Sequence, residues 1–179
     1  MPDEQALLQA LNSTPVVEGR RQDLWDDDHA LDTWARGHGG AGGGDERRWL
    51  RAARDALQEL VSNPPGTAGT PGTAETSAEA LLGRVLADVH KVPRPGASGI
   101  EWDLRVPPGR GPAVELVLAW ADVEERLPGR LRPCGNPECR LFLLDRSRAN
   151  TARWCSMKTC GNRLKARRHQ ARTRRTPPA

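Results

Sequence analysis

The four cysteines of the chain are the residues best suited to chemistry, and all of them lie between positions 134 and 160. They form two C-x4-C pairs, CGNPEC and CSMKTC, which are separated by fifteen residues. Coordination of zinc by four thiolates uses two close pairs of this kind, because each pair encloses one side of the tetrahedral ion. The spacing therefore predicts a Zn²⁺ site formed by Cys134, Cys139, Cys155 and Cys160.

Two disulfides or four unrelated thiols are the alternatives to zinc. The N-terminus, MPDEQALLQALNST, resembles no signal peptide, and no stretch approaches the roughly 20 apolar residues that cross a bilayer. We therefore expect a cytoplasmic, nucleoid-associated protein with no membrane contact, and disulfides are rare in the cytoplasm. Unrelated thiols would not form mirrored pairs in a chain that has so few cysteines. Zinc is the favoured interpretation.

The second cysteine pair marks the start of a helix. Cys155 and Cys160 are five residues apart, so on one ideal helix they would point about 140° away from each other. Both thiolates reach one ion only if Cys155 lies in a turn and Cys160 lies near the first helical turn. Ser156 is then the predicted helix cap, and the helix continues to about Arg172.

Charge divides the chain into an acidic body and a basic arm. Residues 1–130 contain 14 Lys/Arg and 21 Asp/Glu, a net charge of −7, whereas residues 131–179 contain 13 and 2, a net charge of +11. The helix after the second pair has Leu164 as its only large apolar side chain, so we expect it to project into solvent. Either the positive charge only solubilises a frayed terminus, or it binds a polyanion. We predict nucleic-acid contacts at Arg163, Lys165, Arg167, Arg168, Arg172, Arg174 and Arg175.

The elements before the cysteines are mostly helical. Apolar residues recur at helical spacing, which predicts helices over residues 3–11, 27–36, 45–62, 77–91 and 112–127. Ile100, Trp102, Leu104 and Val106 alternate with charged residues, which predicts a strand that pairs with residues 14–18 or with a neighbouring chain. Glycine and proline stretches at 37–44 and 63–76 predict mobile loops. The fold class is therefore mainly α, with a short β element.

No residue pattern suggests catalysis. The sequence shows no Ser/His/Asp, Cys/His or paired-carboxylate arrangement that we would assign to an active site, so we expect a protein that is not an enzyme. The acidic run Asp26–Asp28 with His29 could be taken for a metal site. Its position before an apolar helical stripe instead predicts a helix cap.

The cysteine segment as a whole, CGNPECRLFLLDRSRANTARWCSMKTCGNRLKARRHQAR, resembles the CGNR zinc finger, in which the second pair ends in Cys-Gly-Asn-Arg. Here that tetrad is Cys160–Arg163. Residues 8–39, LQALNSTPVVEGRRQDLWDDDHALDTWARGHG, resemble the opening of the ABATE domain, which precedes this finger in bacterial stress-induced transcription regulators. The resemblance implies a helical ABATE-like domain over residues 1–130, a zinc finger over 131–173, a disordered tail over 174–179, and DNA as the partner.

Charge alone does not distinguish one nucleic acid from another. An RNA-associated or ribosome-associated protein is the first alternative, although single-stranded RNA favours aromatic stacking platforms and the finger has only Phe142 and Trp154. The second alternative is a protein-interaction module whose basic helix binds an acidic surface, such as the body of this same chain. The N-terminal domain is a candidate for homo-oligomer formation.

Overall fold

The computed structural model describes residues 3–64 and 77–175, with the backbone alone for residues 168, 169 and 171–175. Within this part of the chain the helices are α1 (Glu4–Leu11), α2 (Asp28–Gly37), α3 (Gly44–Ser62), α4 (Ala78–Leu86), α5 (Gly111–Arg126) and α6 (Asn162–Arg175). The strands are β1 (Val16–Val17), β2 (Arg20–Arg21), β3 (His90–Gly96), β4 (Gly99–Arg105), β5 (Leu131–Pro133) and β6 (Phe142–Leu144). They form three two-stranded antiparallel sheets, β1-β2, β3-β4 and β5-β6.

Helix α3 is the centre of the core. Its apolar residues Leu50, Ala53 and Leu57 are completely buried, and the helix packs against α1, α2, α4 and α5. Each of these neighbours is amphipathic and buries one stripe, as the apolar spacing predicts. Trp25 is buried in the same core, while Trp34, Trp49 and Trp120 pack partly buried against it.

A buried ion pair crosses this core. The guanidinium of Arg54 on α3 donates to both carboxylate oxygens of Asp23 at 2.6 and 2.8 Å and to Ser13 Oγ at 3.0 Å. The Arg54 side chain is 3% exposed, and its guanidinium carbon lies 5.0 Å from the ring centroid of Trp25. Such a charge is tolerated in a core only when its donors are satisfied.

The acidic run before α2 caps the helix. Oδ1 of Asp27 accepts hydrogen bonds from the backbone N–H groups of His29 at 2.9 Å and Ala30 at 3.3 Å. Carboxylates also bind the glycine-rich loop that follows α2. The N–H of Gly42 donates to Glu46 and that of Gly43 donates to Asp32. The predicted mobile loop at 37–44 is therefore fixed by side chains on both flanking helices.

The structure corrects the region between α4 and α5. Helix α4 ends at Leu86 and not at Lys91, because Asp88 adopts a positive φ of 62° and β3 begins at His90. Within the chain the partner of β4 is β3, so the prediction of residues 14–18 was wrong. A two-residue turn joins the two strands, so the entropic cost of closing the loop between them is small. The sequence pattern did not predict β3, because it contains prolines at 93 and 95 and proline is depleted from strands.

Three other expectations fall partly outside the described residues. The T-x-x-E pattern at residues 76–79 predicts Thr76 as the cap of α4, and Thr76 lies outside; the N-cap is Ser77, whose Oγ accepts from the N–H of Ala80 at 3.2 Å. Most of the loop predicted at 63–76 lies outside, since residues 65–76 are not described. Helix α6 continues to Arg175, two residues into the predicted tail, and residues 176–179 lie outside.

Helices predominate over strands in the described residues, as predicted, although these residues form six strands and not one short β element. No helix in the described ranges is long and apolar enough to span a membrane.

The β5-β6 hairpin fastens the cysteine segment to the helical core. The Asn12 side chain, after the end of α1, makes two hydrogen bonds with the backbone of Phe142 in β6, accepting from its N–H at 2.7 Å and donating to its C=O at 3.2 Å. The side chains of Leu131 and Phe142 are buried in the core around α3. The hairpin therefore gives the cysteine segment a rigid base.

Candidate metal centre

The first cysteine pair lies in the loop that joins β5 to β6. The N–H of Cys134 donates to the carbonyl of Leu141 at 2.8 Å, which closes the base of the loop. The N–H of Cys139 donates to the carbonyl of Asn136 at 2.8 Å, which forms a turn inside it. These bonds direct both thiols toward the same point.

The second pair lies where the chain enters α6. Cys155 is in a bend, and Ser156 is an N-cap whose Oγ accepts from the N–H of Thr159 at 3.3 Å. The capped element is one π-helical turn, Met157–Gly161, which contains Cys160 and continues into α6. Cys155 thus lies before the helix and Cys160 lies in its first turn, whereas on one regular α-helix two residues five apart would point about 140° away from each other.

The four Sγ atoms lie close enough together to share one tetrahedral zinc ion. All four lie within 4.8 Å of one another, and the Cys155 Sγ is 3.7 Å from both the Cys139 and the Cys160 Sγ atoms. Zinc–sulfur bonds near 2.3 Å give a tetrahedron with edges of about 3.8 Å, whereas a disulfide needs about 2.05 Å. The donor set therefore fits Zn²⁺. Among the described residues this is the only group of three or more His, Cys, Asp or Glu side chains placed to hold a metal.

The surroundings of the thiols set how readily each of them ionises. Burial raises the pKa of Cys139 to about 11. Burial and the neighbouring thiols raise the pKa of Cys155 as well. At Cys160 burial acts in the same direction, but hydrogen bonds, first that of Asn136, outweigh it and lower the pKa. One thiolate is thus favoured, and the others ionise when a divalent ion compensates their charge.

Asn136 is a residue of this site that the sequence did not reveal. Its side chain is completely buried, and its Nδ2 donates to Cys160 Sγ at 3.5 Å. The N–H of Cys155 donates to Cys134 Sγ at 3.4 Å. The guanidinium of the nearby Arg153 instead lies over the ring of Trp154, 5.4 Å from its centroid. The available signal was the position of an amide inside a cysteine pair.

We expect Asn136→Ala to weaken zinc binding by about 10- to 100-fold, because residues that hydrogen-bond metal ligands commonly have effects of this size. Competition with a chromophoric chelator at neutral pH measures the affinity. Pro137→Ala is the control, since this exposed neighbour donates no hydrogen bond. Equal affinities for the two variants would show that the amide does not support the site.

Trp154 lies between the two cysteine pairs. A Cβ added to Gly135 would lie 3.0 Å from the Arg153 carbonyl oxygen and 3.2 Å from the indole of Trp154. A Cβ at Gly161 would lie 2.9 Å from the Met157 side chain and 3.3 Å from the same indole. Gly135 follows the first cysteine of the first pair, and Gly161 follows the second cysteine of the second pair. Because neither residue has a side chain, the indole can approach both cysteine pairs.

Asp145 organises the chain that returns to the second pair. This buried carboxylate accepts from the N–H groups of Ser147 at 2.7 Å and Ala152 at 2.8 Å, and it pairs with the guanidinium of Arg132. Hydrogen bonds with Ser147 are the largest of the effects that hold the pKa of Asp145 below its usual value. The carboxylate therefore stays ionised and fixes residues 145–152 against β5.

Helix α6 places the predicted nucleic-acid contacts beyond the cysteines. The side chains of Arg163, Lys165 and Arg167 are exposed, and Arg167 donates to Glu138 of the first cysteine loop at 2.7 Å. The backbone of α6 includes Arg168, Arg172, Arg174 and Arg175. All seven predicted contact residues therefore belong to one helix that begins at the metal site.

Comparison with known proteins agrees with this geometry in the C-terminal segment. No curated protein matches the chain. Residues 130–173 match the model of the CGNR zinc finger family.

Proposed function

We propose that this chain is a zinc-dependent DNA-binding protein that regulates transcription and that α6 is its contact element. The observation that carries the proposal is a cationic helix, exposed at Arg163, Lys165 and Arg167, that begins at a four-cysteine site. Helix α6 contains seven Lys or Arg residues and no Asp or Glu. A cationic helix with a rigid base is suited to phosphate contact and to the major groove of DNA.

Contacts of the described residues support exposure of this helix. The π-helical turn is the one described element with which α6 packs extensively. Among the described side chains of α6, Arg167 pairs with Glu138, which belongs to the finger itself, and this hydrogen bond holds the pKa of the Glu138 carboxyl below its usual value. These contacts favour a helix available to an external polyanion over one masked by the acidic body.

The nature of the finger's aromatic residues favours duplex DNA over single-stranded RNA. Phe142 is buried in the core, and Trp154 is partly buried beside Gly135 and Gly161. Single-stranded RNA is usually recognised by aromatic side chains on which bases stack. The ABATE-like N-terminal part would then sense a stress signal, as the resemblance of its opening residues implies, and the protein would act in the cytoplasm at the nucleoid. No catalytic step is part of the proposal.

Salt dependence of duplex binding tests the proposal. If about six cations of α6 engage phosphates, log Kobs should fall with log salt concentration with a slope near −5. Lys165→Ala should reduce the size of that slope by about 0.9, because one counterion-releasing contact is lost. Fluorescence anisotropy with labelled duplex DNA and the zinc-loaded full-length chain measures both values.

The control is Lys91→Ala, which removes an exposed lysine from β3, far in sequence from the finger. Its slope should equal that of the wild type. Identical slopes for Lys165→Ala and the wild type would remove α6 from the interface. Tighter binding of single-stranded RNA than of duplex DNA would favour the RNA-associated alternative.

A further inference from the structure

The β3-β4 hairpin has an uncovered apolar face. Its register pairs Pro93 with Trp102 and Pro95 with Ile100, so these four side chains lie on the same side of the sheet. Ile100 and Trp102 are each 62% exposed. At the base of the hairpin Leu104 packs partly buried against the core. A contiguous exposed patch that contains an indole is typical of a protein interaction surface.

The outer edge of β3 is blocked by proline. Because a two-residue turn joins the strands, the flanking pair Gly96 and Gly99 exchanges backbone hydrogen bonds. Pairs alternate along an antiparallel ladder, so the backbone groups of residues 93 and 95 point away from β4. Both positions are proline, which has no N–H to offer. This edge therefore resists addition of another strand.

The same alternation leaves backbone groups on the outer edge of β4 available for hydrogen bonding. The backbone N–H and C=O groups of Ile100, Trp102 and Leu104 point away from β3. Within the described ranges none of the three forms a backbone hydrogen bond to another element. An open edge beside an exposed apolar face is suited to strand addition, in which main-chain bonds give affinity and side chains give specificity.

We propose that β4 pairs antiparallel with β4 of a second copy of this chain, around a two-fold axis at Asp103. Charge favours this register over the neighbouring one centred on Trp102. It places Glu101 opposite the second copy's Arg105 and Trp102 opposite the second copy's Leu104, so two ion pairs and two apolar pairs form. A register centred on Trp102 would instead place Glu101 opposite the second copy's Asp103, and like charges directly opposite each other are destabilising.

The two carboxylates at the centre of this register are compensated within each chain. Arg94 Nε lies 2.7 Å and Arg105 Nη2 lies 3.3 Å from Asp103 Oδ2. The contact is isologous, so it closes at a dimer, and the proline-blocked edges of β3 end the four-stranded sheet. The dimer does not rest on the proposed function, since a single finger can bind DNA.

Sedimentation of the zinc-loaded full-length chain over a range of concentrations tests the dimer. We expect a reversible monomer–dimer equilibrium. Glu101→Arg and Arg105→Glu should each raise the dimer Kd by about tenfold, because each creates like-charge pairs. The double variant Glu101→Arg/Arg105→Glu should have a Kd well below that of either single variant, because it re-forms the two opposite-charge pairs and Arg94 still pairs with Asp103. A wild type that stays monomeric, or a double variant that binds no more tightly than the single variants, would overturn the proposal.

Trp102→Pro provides a second test through the backbone. Residue 102 belongs to a pair without hydrogen bonds to β3, so proline there spares the hairpin, as Pro93 does on the opposite strand. We expect this variant to be monomeric with unchanged circular dichroism and zinc content. Trp102→Leu is the control, since it keeps the N–H and an apolar side chain and should still dimerise. Dimerisation of Trp102→Pro with the wild-type Kd would contradict strand pairing.

Discussion

Replacement of Cys160 by serine is expected to abolish stoichiometric zinc binding and to release α6 from its base. Structural zinc supplies about 10–16 kcal/mol of folding free energy in zinc-finger peptides at pH 7, and this energy depends on a complete ligand set. Cys160 is buried, and the helix that contains the predicted DNA contacts follows it directly. Loss of this ligand should therefore remove zinc, reduce helicity and eliminate high-affinity DNA binding together.

Metal analysis after gel filtration in metal-free buffer, with circular dichroism and anisotropy on the same samples, measures these effects. Arg148→Ala is the control, because it changes an exposed side chain of the finger outside the two cysteine loops. It should retain zinc. Treatment of the wild type with a strong chelator should reproduce the Cys160→Ser phenotype. A wild type that lacks stoichiometric zinc, or whose α6 helicity survives chelation, would refute a structural metal centre.

Replacement of Arg54 by alanine is expected to lower the free energy of unfolding by about 3–5 kcal/mol, the usual effect of removing one partner of a buried ion pair. The variant leaves the Asp23 carboxylate without its two charge-assisted bonds and leaves Ser13, at the start of the β1-β2 segment, without its donor. It also removes the cation from the ring of Trp25. Urea denaturation followed by tryptophan fluorescence measures the change.

Arg48→Ala is the matched control on the same helix. The Arg48 side chain is 67% exposed and pairs with an exposed Asp45, so its removal should change stability by less than about 1 kcal/mol. Similar effects at the two positions would show that the buried pair contributes little.

The pair of Arg54 and Asp23 also predicts that stability falls in acid. Burial by itself raises the pKa of Asp23, but hydrogen bonds from Arg54 and the Trp25 backbone outweigh it, and the folded-state pKa lies below the ordinary value.

The sign of the pH effect follows from this direction. A carboxyl whose pKa is lower in the folded state contributes stability at pH values above its unfolded pKa, near 3.9 for aspartate. That contribution is lost as the pH falls through the folded-state pKa. The difference in unfolding free energy between the wild type and Arg54→Ala should therefore be full at neutral pH and shrink in acid.

Local sequence patterns determined the helices and the metal ligands. The apolar stripe of α3 repeats every three or four residues, so its buried face is encoded within one segment. The two C-x4-C pairs encode their own loops, and the five-residue separation of Cys155 and Cys160 required a turn before the helix. The structure has that turn, and Ser156 caps the helix that follows it.

Tertiary structure decided the contacts between residues that are distant in sequence. The side chain of Asn12 binds the backbone of Phe142 across 130 positions, and Arg54 meets Asp23 across 31. Neither polar pair has a periodicity, so no local pattern reveals it. The partner of β4 was missed for a related reason, since prolines obscured β3 and only the folded register shows that they face the free edge. Short-range periodicity follows from backbone geometry, so it can be recognised within one segment. Pairing of polar side chains depends on which segments are brought together by packing.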